Sequence, residues 1–214
     1  MILWQLFSDP QRFVVAMAAL VVALTVHEFA HAFWADRLGD PTPRRQRRLT
    51  LNPLAHLDPF GSLLFLLAGF GWGRPVMTDP RYYRLNPRVG MAQVAFAGPL
   101  SNVALAMLVA LPLRFGFFDG GAPDLAASFV AWSLRWNILL AVFNMIPLAP
   151  LDGFKVLLGV LPSAQAFAFA RFEQYGPAVL MTIIFVDAFT PLHLNILGRL
   201  IGPPSQFLLR AIVG

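Results

Sequence analysis

His27-Glu28-Phe29-Ala30-His31 lies inside the apolar run from Phe13 to Trp34, and its reading decides the rest of the chain. The run is long enough for one helix to cross a bilayer, which takes about 20 residues. Histidines four apart on a helix differ by about 40° in direction and share a face. Their neutral imidazoles are good zinc ligands. Glu28 is turned by about 100° from His27, so it can approach metal-activated water without taking a ligand position. Ionisable groups are costly in hydrocarbon and are functional candidates there by default. The pattern reads as a zinc site that carries its own general base, Glu28.

Composition points to the same environment. Of 214 residues, 57% are hydrophobic and only 13% charged, against about 25% charged in an ordinary soluble domain. Mean hydropathy is +0.65. The length suits a single membrane-embedded domain over residues 1–214. A pI near 10.7 invites a nucleic-acid reading. The basic residues, however, cluster between apolar runs as cytoplasmic anchors do, and no RNA-binding aromatic motif accompanies them, so no nucleic-acid partner is expected. There is no cysteine, which excludes disulfides, thiolate ligands and cysteine nucleophiles. Met1 to Pro10 lacks a basic start and a small-residue cleavage site, so a removed signal peptide is not expected.

The fold expected is an all-α polytopic membrane protein. It has about four to five transmembrane helices, with a re-entrant loop or short β-hairpin between the first two spans. Arg37, Arg44, Arg45, Arg47 and Arg48 follow the first span and place its C-terminal end in the cytoplasm. Phe60 to Trp72 is too short to span, and basic residues flank it on both sides. A re-entrant loop or short strands are therefore expected there, with a hairpin near Gly69 to Pro75 and an edge that holds an extended substrate. Further spans are expected at Val89 to Leu113, Leu125 to Pro147 and Gly176 to Phe189. Asn195 to Val213 either spans or lies at the interface. Arg135, inside the third span, should snorkel or face a polar interior. Asp36, Arg37 and Asp40 read as a solvated helix end.

Chance is a weak explanation for the motif. With four histidines and two glutamates, about one shuffled chain in two thousand would contain it. Catalytic zinc has three protein ligands and an open position. The third ligand must come from Asp152, His56, Asp58, Glu173 or Asp187. Asp152 arrives at the depth of the histidines and follows Asn144-Met145-Ile146-Pro147-Leu148-Ala149-Pro150, where two prolines break the helix. Two readings of Leu151-Asp152-Gly153 stand at this point. It aims a carboxylate into a cavity, or it is an ordinary Asp-Gly turn at a helix end.

These residues resemble the site-2 proteases, a family of intramembrane zinc metalloproteases. The resemblance rests on His27 to Ala32, on Asn144 to Gly153 and on Ala97-Gly98-Pro99-Leu100-Ser101-Asn102. Leu51-Asn52-Pro53-Leu54-Ala55-His56-Leu57-Asp58-Pro59 is similar to the small prokaryotic branch without PDZ or CBS domains. The resemblance implies that His27, His31 and Asp152 bind one Zn2+ per chain, that Glu28 is the base, and that Asn144 helps hold substrate or oxyanion. It also implies a transmembrane protein substrate, cut near the cytoplasmic face of a prokaryotic inner membrane. Ala149 and Phe154 depart from residues common in the family, and neither removes a ligand.

His56, Asp58 and Asn102 are candidates to orient the ligands from behind. For Asp58 the plainer role is to cap a following element. Gly98 and Pro99 read as a packing face, and His193 as a surface residue. Two rival functions are a divalent-metal transporter and a catalytically silent scaffold. No repeated half with a second His pair supports the first, and Glu28 argues against the second, because zinc binding alone does not need it.

Overall fold

Apolar runs, caps and helix breakers divide the chain into nine helices among the residues that the computed structural model describes: 9–68, 71–118, 125–189 and 194–214. The first, α1 (Pro10–Arg37), begins where Asp9 accepts a hydrogen bond from the Arg12 amide (3.0 Å). At 28 residues it rises about 42 Å. Gly39, at φ +108°, lets the chain turn away just beyond its end. A single turn, α2 (Thr42–Arg45), and α3 (Pro59–Ala68) lead to α4 (Pro87–Arg114), which Asn86 caps through the Arg88 amide (3.0 Å). Next come α5 (Leu125–Asn144), α6 (Asp152–Val160), α7 (Ser163–Ala170), α8 (Gly176–Phe189) and α9 (Ile196–Val213).

Helices α1, α4 and α5 pack against one another, and α6 lies on α4. Small residues permit this closeness. On α4 the buried side runs Gly90, Val94, Gly98, Asn102, Ala106 and Ala110, one residue every four. On α1 it includes Ala16, Ala19, Ala23, His27, His31 and Ala35. Ser133, Leu134, Asn137, Ile138 and Ala141 of α5 complete the interior.

By length and composition, three helices could cross a membrane: α1, α4 and α5. The sequence reading of four to five spans goes beyond this. Its fourth, α8, has 14 residues, which reach only about 21 Å. Arg199, Arg210 and the Pro203-Pro204 pair interrupt the apolar run of α9, which is helical throughout Ile196–Val213. Asp187 closes the corner between these two helices by accepting the amides of Ile196 (2.9 Å) and Leu197 (2.8 Å). Arg135 is on the outer side of α5, with its guanidinium over the Trp132 ring.

Between α1 and α4 the expected strands are replaced by α3. A short run of Leu63-Leu64-Phe65-Leu66-Leu67 fits a strand or a buried helix equally well by pattern, and these residues are good helix formers. Asp58 settles its start by accepting the Gly61 amide (2.8 Å). Among the described residues, the only pairing across the expected hairpin is one antiparallel bridge between Leu57 and Gly73. Gly69 and Phe70 lie outside them. Backbone contact between Gly61 and the returning Gly71-Trp72 leaves no room for a Cβ at either glycine. From Gly71 to Asp79 the chain is neither helix nor sheet.

Asp40 corrects another expectation. It is fully buried rather than solvated, because its carboxylate accepts the amides of Thr42 (2.9 Å) and Asp79 (2.7 Å).

Candidate metal centre

The buried side of α1 brings His27 and His31 to 3.0 Å between their Nε2 atoms. The opposing group comes from the break that follows α5. Pro147 and Pro150 end the helical pattern after Asn144, and the chain turns through Met145 to Leu151 before α6 starts at Asp152. Gly153 makes this turn possible, since a Cβ there would meet the Met145 carbonyl oxygen at 2.3 Å. Asp152 Oδ2 lies 3.2 Å from His27 Nε2 and 3.3 Å from His31 Nε2. The carboxylate thus points inward, from a residue that also opens a helix.

The imidazole tautomers follow from their other partners. Asn102 donates through Nδ2 to the Ala23 carbonyl (3.1 Å) and to Asn137 Oδ1 (2.8 Å). Its own Oδ1 therefore faces His27 Nδ1, at 2.6 Å, and only a protonated Nδ1 can donate to it. Asn137 is held in turn by the Ser133 carbonyl (2.8 Å). His31 Nδ1 likewise donates to the Val94 carbonyl (2.7 Å). Both Nε2 atoms are left with lone pairs turned toward a carboxylate oxygen that has no hydrogen-bond partner of its own. Three acceptors converging with no proton between them make a repulsive arrangement that a cation resolves.

The separations suit zinc. Bonds of about 2.0–2.2 Å in tetrahedral directions put ligand atoms about 3.3–3.5 Å apart, close to the 3.0, 3.2 and 3.3 Å found. Gly98 makes space for the pair, since a Cβ there would lie 2.4 Å from His31 Nε2 and 2.6 Å from His27 Cε1.

A cavity of about 150 Å³ opens onto this group. Glu28, Asn144, Lys155 and the segment Pro75 to Thr78 contribute to its walls. Glu28 Oε2 accepts the Val76 amide (3.3 Å). Asn144 donates through Nδ2 to the Leu140 carbonyl (3.0 Å).

Comparison with known proteins adds the family. Several relatives carry the name Putative zinc metalloprotease. YwhC of Bacillus subtilis (strain 168) is 37% identical over 197 residues, 89% of this chain and 87% of its own length. Rip2 of Mycolicibacterium smegmatis is 30% identical over 182 residues, 82% of this chain and 68% of its own. The chain belongs to the site-2 protease family. It is a zinc metalloprotease, and its three long apolar helices fit the bilayer environment of that family. A shorter match, 41% over 69 residues, links it to Putative zinc metalloprotease MJ0611 of Methanocaldococcus jannaschii. It covers 30% of this chain and 32% of that protein. No protein-family model matches the chain, and no solved structure does.

Of the residues singled out from sequence, His27, Glu28, His31, Asn144 and Asp152 meet at one cavity, and Asn102 backs His27. His56 and Asp58 are engaged elsewhere. His56 Nε2 bonds the Thr50 carbonyl (2.8 Å), and Asp58 caps α3. His193 lies outside the described residues. Sequence reasoning missed Asn137, although a lone amide in an apolar helix was a usable signal. It also missed how tightly Gly98 fits against the histidines, the Val76 amide and Lys155.

Proposed function

We propose that this chain is an intramembrane zinc protease, a single domain over residues 1–214 that hydrolyses peptide bonds in or near transmembrane segments of membrane proteins. One observation carries the reading: the His27–His31–Asp152 group is enclosed by helices apolar enough to cross a bilayer. The arginines after α1 favour the cytoplasmic side of a prokaryotic inner membrane for the site.

His27 and His31 would hold zinc through Nε2, and Asp152 through Oδ2. The ion would supply Lewis acidity toward water and the scissile carbonyl. Glu28 takes the proton of the attacking water and returns it to the leaving amine. Asn144, at the cavity wall, holds the substrate carbonyl or the oxyanion that develops from it. Lys155 adds a cation to the cavity wall, about one turn beyond Asp152. The substrate must unwind before its backbone reaches these groups, and the non-helical Gly71 to Asp79 offers it an extended partner.

Elemental analysis of the purified protein and of Asp152→Asn tests the ligand set. One zinc per wild-type chain, weakened at least tenfold in the variant, is expected. A wild type that stays metal-free after zinc addition would refute it. Cleavage of a transmembrane peptide in nanodiscs, mapped by mass spectrometry, tests the substrate class. Cuts confined to soluble polypeptides would overturn that part.

A further inference from the structure

Two buried charged residues lie beside the cavity without contributing to the donor group. Arg48 is 4% exposed and Asp40 is 0% exposed. Arg48 has no carboxylate partner among the described residues. Its guanidinium donates instead to three backbone carbonyls, those of Ala55, Arg74 (3.1 Å) and Pro75 (3.4 Å). The His56 carbonyl accepts the Arg74 amide at 2.7 Å, which fixes the same point from a second side. Five residues on from Arg74, the Asp40 carboxylate receives the Asp79 amide at 2.7 Å. Residues 74–79 thus form a strap fastened at both ends, and its middle lines the cavity.

The strap reaches the proposed base directly. The Val76 amide, one residue past the carbonyl that Arg48 holds, donates to Glu28 Oε2 at 3.3 Å. We propose that Arg48 and Asp40 are positioning residues, which hold the 74–79 strap so that the Val76 amide fixes the Glu28 carboxylate beside the metal group. This inference rests on the assignment of Glu28 as the base. One carboxylate oxygen is then tethered, and the other is left for the proton of water. An arginine fits the task because its planar fork can serve several carbonyls at once, whereas an ammonium is a point donor. Burial and the neighbouring Arg74 both work against the Arg48 charge, and attraction to Glu28 opposes them. Such a costly cation is expected to have a role that a neutral side chain could not fill.

The test compares wild type with Arg48→Met, Arg48→Lys, Asp40→Asn, Glu28→Ala and Glu28→Gln in nanodiscs. Amide exchange of residues 74–79, bound zinc per chain and steady-state cleavage of a fluorogenic peptide with one transmembrane segment are measured. Arg48→Met and Asp40→Asn should keep zinc, speed exchange at Val76 about tenfold or more, and lower kcat about 10- to 100-fold with little change in KM. Arg48→Lys should recover part of the loss. Glu28→Ala should speed exchange at Val76 alone, leaving Arg74 and Asp79 protected.

Exchange at 74–79 equal to wild type in Arg48→Met would overturn the proposal. Unchanged kcat despite faster exchange would do the same. If Arg48→Met loses zinc through misfolding, Arg48→Lys decides by the same criteria. Cleavage that persists in Glu28→Gln would instead unseat the base. A dead Glu28→Gln beside a fully active Arg48→Met would leave the base standing and remove only the strap.

Discussion

The two ends of the α1–α4–α5 bundle are assembled from similar small-residue faces but enclose different interiors. Toward one end Ala106, Ala110, Leu134 and Ile138 pack with Ile212 in a wholly apolar cluster. Toward the other a chain of hydrogen bonds runs from the Ser133 carbonyl through Asn137 and Asn102 to His27. One helical turn separates Asn102 from Ala106, and Asn137 is adjacent to Ile138. The apolar end needs only complementary volume. At the polar end, each donor must meet an acceptor at a fixed distance, so a small shift between helices leaves a buried group unsatisfied. The contrast teaches that packing brings the helices together, while the amide chain sets how they are aligned at the metal group.

Substitutions can break that contrast, beginning with the chemistry itself. Glu28→Gln should lower cleavage about 100- to 10 000-fold while zinc per chain stays at the wild-type level, as peptide cleavage and elemental analysis would show together. Gly98→Ala should come next, since its methyl group would press on both imidazoles. A loss of zinc affinity of about 10- to 100-fold is expected in chelator competition. Gly202→Ala, with nothing within 4 Å of the new methyl, should leave affinity unchanged.

A matched pair sharpens the comparison. Asn102→Leu removes the acceptor that sets the His27 tautomer, and zinc affinity should fall about tenfold. Leu134→Ala opens a hole at the apolar end and should cost about 2–5 kcal/mol of stability in denaturant titration, with zinc affinity preserved. Equal effects of the two changes on zinc would erase the distinction between the ends.

The smallest effect is expected at the strap's outer edge. The Arg81 side chain, aided by its own amide, holds the Asp79 carboxyl below the ordinary carboxylate range. A carboxylate depressed in the folded state stabilises above its unfolded pKa, and that contribution fades as pH falls through the folded value. Arg81→Ala should raise the Asp79 titration toward its ordinary range, followed by infrared titration, without altering bound zinc.

Much of the centre was legible because its strongest signals are local. His27 and His31 are one turn apart, and helix geometry alone puts them together. Asp152 needed topology to stand out from the other carboxylates, and only the resemblance to the site-2 proteases favoured it over an Asp-Gly turn. Asn137 escaped notice because no short motif surrounds it and its partner, Asn102, is distant in sequence. In the α3 segment the strand reading failed, because a short apolar run such as Leu63 to Leu67 carries no decisive period. Hydropathy alone does not fix the number of spans, because it reads composition, whereas crossing a bilayer needs helix length, which three helices reach among the described residues. Asp40 was misread because only one of its two amide partners, Thr42, is local, whereas the other, Asp79, reaches it only once the strap has folded over it.

The separation of the donor atoms along the chain has a consequence for biosynthesis. His27 and His31 leave the ribosome 125 and 121 positions before Asp152, an interval on the order of ten seconds at ordinary synthesis rates. Throughout that interval α1 carries two imidazoles and a carboxylate, while the third donor and the wall that bears it do not yet exist. With Asp152 as the proposed third ligand, the nascent chain gains its complete donor set only when the turn after α5 closes against α1. Zinc that binds only the closed form then favours completed chains over partial ones.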